Sequence, residues 1–529
     1  MKKLLSLALL ATSALAARHP QVDFQTSDRC VACHNQLTTS SGQDVSIGLD
    51  WSASIMANSS RDPYWQASVR RETIDHGSAQ PEIEDECSVC HMPVTRYRAK
   101  LKGELGEIFS HLPFQADKKQ GREAEDGVTC TVCHQIGREK LGTRESFNGG
   151  FVIDAPPGTD EHREYGPFHI EDGLKLVMRS STGGFVQQQD DHIRDSKLCA
   201  TCHTLYTEAR GEGGKIVGAL PEQMPYLEWL ASDYRDKQSC QECHMPEVKE
   251  PVPIAHVLGI PRQGLHQHVF VGGDFFLQGM LNRYRDELSV SAMPQQLSAA
   301  RENTISFLKQ KTARLKIESA SVENGQLTAD VSVENLTGHK FPTAFPSRRA
   351  WLHVLVRDAN GRVLFESGAL HPDGSIAGND NDADASRYEP HYREITGSDQ
   401  VEIYEDILGD AGGRVTTGLL AGTHYLKDNR LLPHGFNKQC VDKDIAVEGE
   451  AATDDSFNGA GSRVRYRIDL HGASGPFRIT AELWYQPIGY RWANNLKAYK
   501  TAETQRFNGF YDSMSAETAV LITTAEVTR

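Results

Sequence analysis

The sequence predicts an α+β chain of several domains. An irregular, partly α-helical first half leads into an antiparallel β-sandwich-like second half. Three observations carry this. Five copies of Cys-x-x-Cys-His fall between Cys30 and His244, in sequence rich in Gly, Pro, Asp and Arg with little regular periodicity. A helical period then marks residues 293–311, with Leu297, Ala300, Ile305 and Leu308 on one face. Beyond Thr312 the apolar residues recur at every second position, as in half-buried strands.

The motifs are Cys30-Val-Ala-Cys33-His34, Cys87-Ser-Val-Cys90-His91, Cys130-Thr-Val-Cys133-His134, Cys199-Ala-Thr-Cys202-His203 and Cys240-Gln-Glu-Cys243-His244. Each is the attachment signature of a c-type haem. The two thiols add across the vinyl groups, and the next residue, His, swings under the porphyrin as an axial ligand to iron. At this chain's Cys and His frequencies, chance would supply about a hundredth of one such motif. Zinc ribbons pair their knuckles without a following His, and a thioredoxin-type site needs one reactive pair. The expected cofactor is therefore five covalently bound haem c groups. Their proximal ligands are His34, His91, His134, His203 and His244, and the haems replace side chains as the core of this half. Without haem this half should not fold.

The elements follow in order. Residues 1–16 read as a Sec signal peptide, with Lys2 and Lys3 ahead of an apolar stretch and Ala14-Leu15-Ala16 as the cleavage site. Residues 17–292 form the haem domain, with one legible helix at Tyr226–Tyr234 after Pro225. The motifs show no fixed spacing, which excludes a solenoid of equal repeats. Residues 293–312 make a helical connector. Residues 313–529 form the β half, where Leu327 to Val333, Val464 to Leu470 and Phe477 to Leu483 alternate, and Asn324-Gly325 and Asn360-Gly361 mark hairpin turns. Residues 373–398 read as a solvated surface insertion whose Asp380, Asp382 and Asp384 offer a calcium alternative. Residues 409–422 read as another loop. Cys440 stands alone as a bystander thiol.

With the signal removed, 54 basic residues face 71 acidic ones. Such a surface excludes nucleic acid and anionic membranes as natural partners. It suits brief docking with redox proteins. No later segment approaches the 18 apolar residues of a membrane span. The expected location is the periplasm, or the cell surface after secretion.

The second axial position separates a wire from an enzyme, because a second His or Met closes the iron. His268, His192, His339, His266, His111 and His169 are the candidate distal ligands. His268 and His266 stand in a Gly-rich apolar stretch, His192 seven residues before Cys199, and His339 on the Gly338-led, Pro342-closed loop of the β half. His76, His162 and His256 are the other histidines best placed in or beside the haem half. Met56 is a thioether alternative, with core packing as its competing role.

The phrases Met56-Ala57 with Arg61-Asp62-Pro63, Gly127-Val128-Thr129-Cys130, Cys240-Gln-Glu-Cys243-His244-Met245-Pro246, His268-Val-Phe-Val-Gly272-Gly273, Thr337-Gly338-His339-Lys340-Phe341-Pro342-Thr343 with Arg348-Arg349-Ala350-Trp351, and Tyr485-Gln486-Pro487 with Arg491-Trp492 span nearly the whole mature chain. They resemble bacterial multihaem c-type cytochromes that carry a β-sandwich-like domain after the haem region. The resemblance implies electron transfer in anaerobic or lithotrophic respiration. The expected partners are other cytochromes or a quinol-oxidising complex, and the β half is a candidate surface for docking or self-assembly. An electron-transfer protein is favoured over an enzyme. The alternative is an oxidoreductase with one open haem acting on a small nitrogen or sulfur oxyanion or a hydroxylamine-type substrate. No motif here carries the Lys that replaces the proximal His at the catalytic haem of pentahaem nitrite reductases.

Overall fold

The computed structural model describes residues 24–114, 119–153 and 161–529; the signal segment 1–16 lies outside them. The first half is more helical than its sequence suggests. Helices run Pro63–Asp75, Gln80–His91 and Pro93–Leu101. Periodicity misses the first because it is buried on several sides, at Tyr64, Trp65, Ala67, Val69, Glu72 and Thr73. A capping signal is present, since the Asp62 carboxylate accepts from the Tyr64 and Trp65 amides and Pro63 opens the helix. The helix expected at Tyr226–Tyr234 is shorter, Pro225–Leu230. The connector helix is present at Pro294–Lys311, with Leu297 and Leu308 buried.

The second half stacks two sheets. One orders Val363–Ser367, Arg349–Arg357, Arg478–Gln486 and Val520–Thr528, with Ile403–Tyr404 beside Arg349–Arg357. The other orders Glu394–Ile395, Ser462–Asp469, Gln326–Asn335 and Ala313–Glu323. Pairing is antiparallel except for the two-residue edge Glu394–Ile395, which runs parallel to Ser462–Asp469. The alternating residues point inward as their pattern requires, with Leu327, Val331, Val464, Tyr466, Ile479 and Leu483 all buried. Asn324-Gly325 closes a two-residue hairpin, both with positive φ (51° and 78°) as that turn demands.

Two loop expectations need correcting. Within 373–398, Asp382 is buried and its carboxylate forks onto Arg349 at 2.8 and 2.9 Å, while Asp380 pairs with Arg387. These aspartates are spent on arginines, and no cluster able to hold a metal ion occurs among the described residues. Within 409–422, strands Asp406–Asp410, Val415–Thr416 and Gly422–Asp428 form a small sheet. The loop that follows Val415–Thr416 reaches the first half, where Glu72 accepts from the Leu419 amide at 2.9 Å. One continuous apolar cluster runs from Ala53 and Tyr64 through Phe275 to Leu483 and Ile522.

Candidate functional site

All five motifs open onto one cavity of about 2110 Å³. That is at least twice the roughly 300–1,000 Å³ of an ordinary small-molecule pocket. All ten motif cysteines and all five motif histidines line it, and none of the cysteines is in a disulfide. Several motifs form a short helical turn, as Cys130–Cys133 and Cys240–His244 do, which sets both thiols and the imidazole toward the cavity.

Four of the motif imidazoles are aimed by the same device. His34 Nδ1–H donates to the Ile254 carbonyl at 2.8 Å, His91 to Ser59 at 2.9 Å, His134 to Tyr165 at 2.6 Å and His244 to Val271 at 2.5 Å. A carbonyl can only accept, so the proton sits on Nδ1 and Nε2 keeps its lone pair for a metal. The clamp is reciprocal in three cases. The Tyr165 amide donates back to the His134 carbonyl at 2.7 Å, the Val271 amide to His244 at 3.0 Å, and the Ser59 hydroxyl to His91 at 3.0 Å. Trp65 adds a flat stack on His91, ring centres 4.3 Å apart. Burial keeps these rings neutral, holding His91 and His203 down at about 4. Among the described residues His203 finds no such acceptor.

Two further histidines face motif histidines across the cavity. Two imidazoles bound to opposite sides of one metal at about 2 Å have ring centres roughly 6 Å apart. His134 and His268 stand at 6.4 Å with planes 16° apart, and His244 and His339 at 6.2 Å and 11°. Both facing rings keep Nε2 free, since His268 Nδ1–H donates to the His266 carbonyl at 3.0 Å and His339 Nδ1–H to Lys340 at 2.8 Å. Burial, with His134 close by, holds His268 down at about 3. His266 lines the cavity with the same signature, donating to Met245 at 2.6 Å. His169 lines its rim and is exposed.

The other expectations fare differently. His192 is buried, but its Nε2–H donates to the Ile136 carbonyl at 2.7 Å and its Nδ1 lies 2.9 Å from Asp190. It lies off the cavity wall. His111 sits on the turn Phe109–His111 and does not reach the cavity wall. Met56 does reach it, as does the neighbouring Ile55, which also packs against the apolar core. Sequence reasoning missed Trp65 and the backbone acceptors at Ser59, Tyr165, Ile254 and Val271. A main-chain carbonyl carries no residue-type signal, although the Asp62-Pro63 cap could have placed Trp65 on a helix.

Thiol contacts order the motifs in space. Cys30 interacts with Cys130, Cys90 with Cys202 and Cys199 with Cys240, and the charge of Cys202 acts on Cys133. The first motif therefore adjoins the third, the third adjoins the fourth, and the second and fifth both meet the fourth. The donor set fits covalently attached haem: paired thiols, neutral imidazoles with a free Nε2, and a largely apolar wall. Bound there, haem would supply reversible one-electron chemistry at iron.

No family model matches this chain and no curated protein does. Among solved structures it is similar to a penta-haem cytochrome c552 from Thermochromatium tepidum, at 15% identity and a TM-score of 0.51, over 96% of this chain and 99% of that one.

Proposed function

We propose, from a chain that shares its fold with a penta-haem cytochrome c552, that this protein carries electrons along five covalently attached haems. The single observation that supports this most is the one cavity lined by all ten cysteines and all five histidines of the motifs. Haems held on them form a connected set, branched at the fourth. The proximal ligands are His34, His91, His134, His203 and His244. His268 closes the third iron and His339 the fifth, and His266 is a free donor for another. The Sec-like pattern of residues 1–16 supports a periplasmic or extracellular location, where redox proteins would dock on its acidic surface. Among the described residues no helix is long and apolar enough to cross a membrane.

The test is low-temperature EPR of the oxidised holoprotein beside haem quantification. Five haems per chain and low-spin signals at the third and fifth are expected. His268→Ala should convert about one fifth of the iron to high spin, since one of five haems loses its closure. An unchanged spectrum in that variant would remove His268 from the coordination.

One observation favours a second reading. Among the described residues nine histidines line the cavity, five proximal plus His169, His266, His268 and His339. Ten are needed to close five irons with imidazole alone. At least one iron among the first, second and fourth then takes a ligand from beyond this set, such as the Met56 thioether or His19, which lies outside the described residues, or stays open for a small substrate of the oxyanion or hydroxylamine type. A high-spin signal in the wild type that shifts on adding nitrite or hydroxylamine would establish the open site.

A further inference from the structure

The loop that carries His339 is bolted to the haem half by a closed ring of four buried charges. The Lys340 ammonium, fully buried, donates to Asp428 at 2.7 Å and to the Ala446 carbonyl at 3.0 Å. Arg430 bonds the same Asp428 carboxylate at 2.7 Å and reaches Glu228 at 3.2 Å. Glu228 completes the ring by accepting from the Lys340 amide at 3.1 Å, and it also takes the Thr343 hydroxyl at 2.5 Å. Lys340 is thus pinned at its side chain by the β half and at its backbone by the helix Pro225–Leu230, ten residues before Cys240. Its own carbonyl is the acceptor that fixes the His339 ring. On the other side of His339, Asn335 and Thr337 each donate to the His339 carbonyl at 2.8 Å. Gly338 lies against Trp229 and Tyr234, where a Cβ would meet both at 3.3 Å.

Burying so many charges is costly unless each is paired, and none of them touches the reacting cavity directly except through this loop. We propose that Lys340 is a positioning residue, set between Glu228 and Asp428, that aims His339 at the fifth haem's iron and couples its sixth ligand to the docking of the two halves. The proposal rests on the reading of His339 as that ligand. Loosening Lys340 lets its carbonyl drift, and the imidazole it orients loses its line to the metal.

The experiment compares full-length holoprotein carrying Lys340→Met, His339→Ala or Lys427→Met. Lys427 is an equally buried lysine of the β half, bonded to Glu405 at 3.1 Å and to the Ile403 carbonyl at 2.8 Å, away from the cavity. The readouts are ferric high-spin EPR intensity, CO binding to the reduced protein and thermal melting. His339→Ala should add high-spin, CO-binding haem equal to about one fifth of the total, reversed by added imidazole. Lys340→Met should show the same signature at an intermediate level, again suppressed by imidazole. Lys427→Met should lower the melting temperature and leave both spectra unchanged. If His339→Ala alters neither spectrum, the ligand reading itself falls. If it does while a folded Lys340→Met keeps the wild-type spectra, the positioning role falls and the ligand stands. Should Lys340→Met fail to retain haem, the isosteric Glu228→Gln loosens the same amide, and its unaltered spectra would equally overturn the proposal.

Discussion

At the scale of single residues, the chain separates buried histidines that line the cavity from one held between two carboxylates in the β half. His391 is buried between two carboxylates, with Nδ1 at 2.7 Å from Glu402 and Nε2 at 3.0 Å from Asp454. Burial works against its charge, but the two carboxylates prevail and raise its pKa above the ordinary histidine value. A group whose folded pKa is raised contributes stability that is fully present below its unfolded pKa, near 6.5, and is lost as pH rises through the folded value. Melting temperature should therefore fall through the alkaline side of neutrality in the wild type, with the slope reduced in His391→Gln. His391→Leu leaves two buried carboxylates without their cation, a loss of about 3–5 kcal/mol. An identical pH slope in wild type and His391→Gln would refute the charged pair. The motif histidines are shifted the opposite way, their pKa values held down by burial. The five proposed proximal ligands were legible because covalent attachment demands a contiguous motif. The sequence offered His268, His339 and His192 alike as distal candidates, since no local pattern tells which of them stands across the cavity from a motif histidine.

At the scale of elements, helix Pro63–Asp75 shows how a cap reaches a cofactor site. Asp62 starts it by accepting from two backbone amides, and one turn later Trp65 lies flat on His91. Asp62→Ala should cost about 1 kcal/mol and should also alter the low-spin g-values of the second haem, because the stack that fixes its proximal ring loosens. A stability loss with unchanged g-values would mean that the Ser59 clamp alone sets the ring. The strands were legible because one wet and one dry face impose period two. The helices of the first half were not, because the residues they bury face a cavity on one side and packed protein on the others, which erases a single apolar stripe. The small sheet at Asp406–Asp428 escaped notice for a related reason. Its inward residues include Asp406, Lys427 and Asp428, charged groups that read as surface until their partners are seen.

At the scale of the whole molecule, the halves differ in what holds them together. The β half closes its two sheets over residues such as Leu327, Val331, Tyr466 and Leu483, whose side chains supply that core themselves. The first half, with loops of the β half such as the one carrying His339, instead lines a cavity of about 2110 Å³. On the proposed function, five haems bring the apolar surface that side chains do not supply there. Yet the seam between the halves is not a linker. Tyr64 packs on Phe507 at 5.1 Å, Tyr284 stacks on Phe510 at 3.6 Å, and Arg70 pairs with Glu503 at 2.9 Å. A chain with serine at every motif cysteine should therefore keep strand content and amide protection in residues 313–486. Fast exchange is expected across 24–292 and, through the seam, in the helix Ala502–Ser513. Hydrogen exchange read by mass spectrometry distinguishes the cases. Protection of both halves would show that packing around the cavity suffices without haem. Loss of protection in both would show that the sandwich borrows its stability from the haem half across that seam.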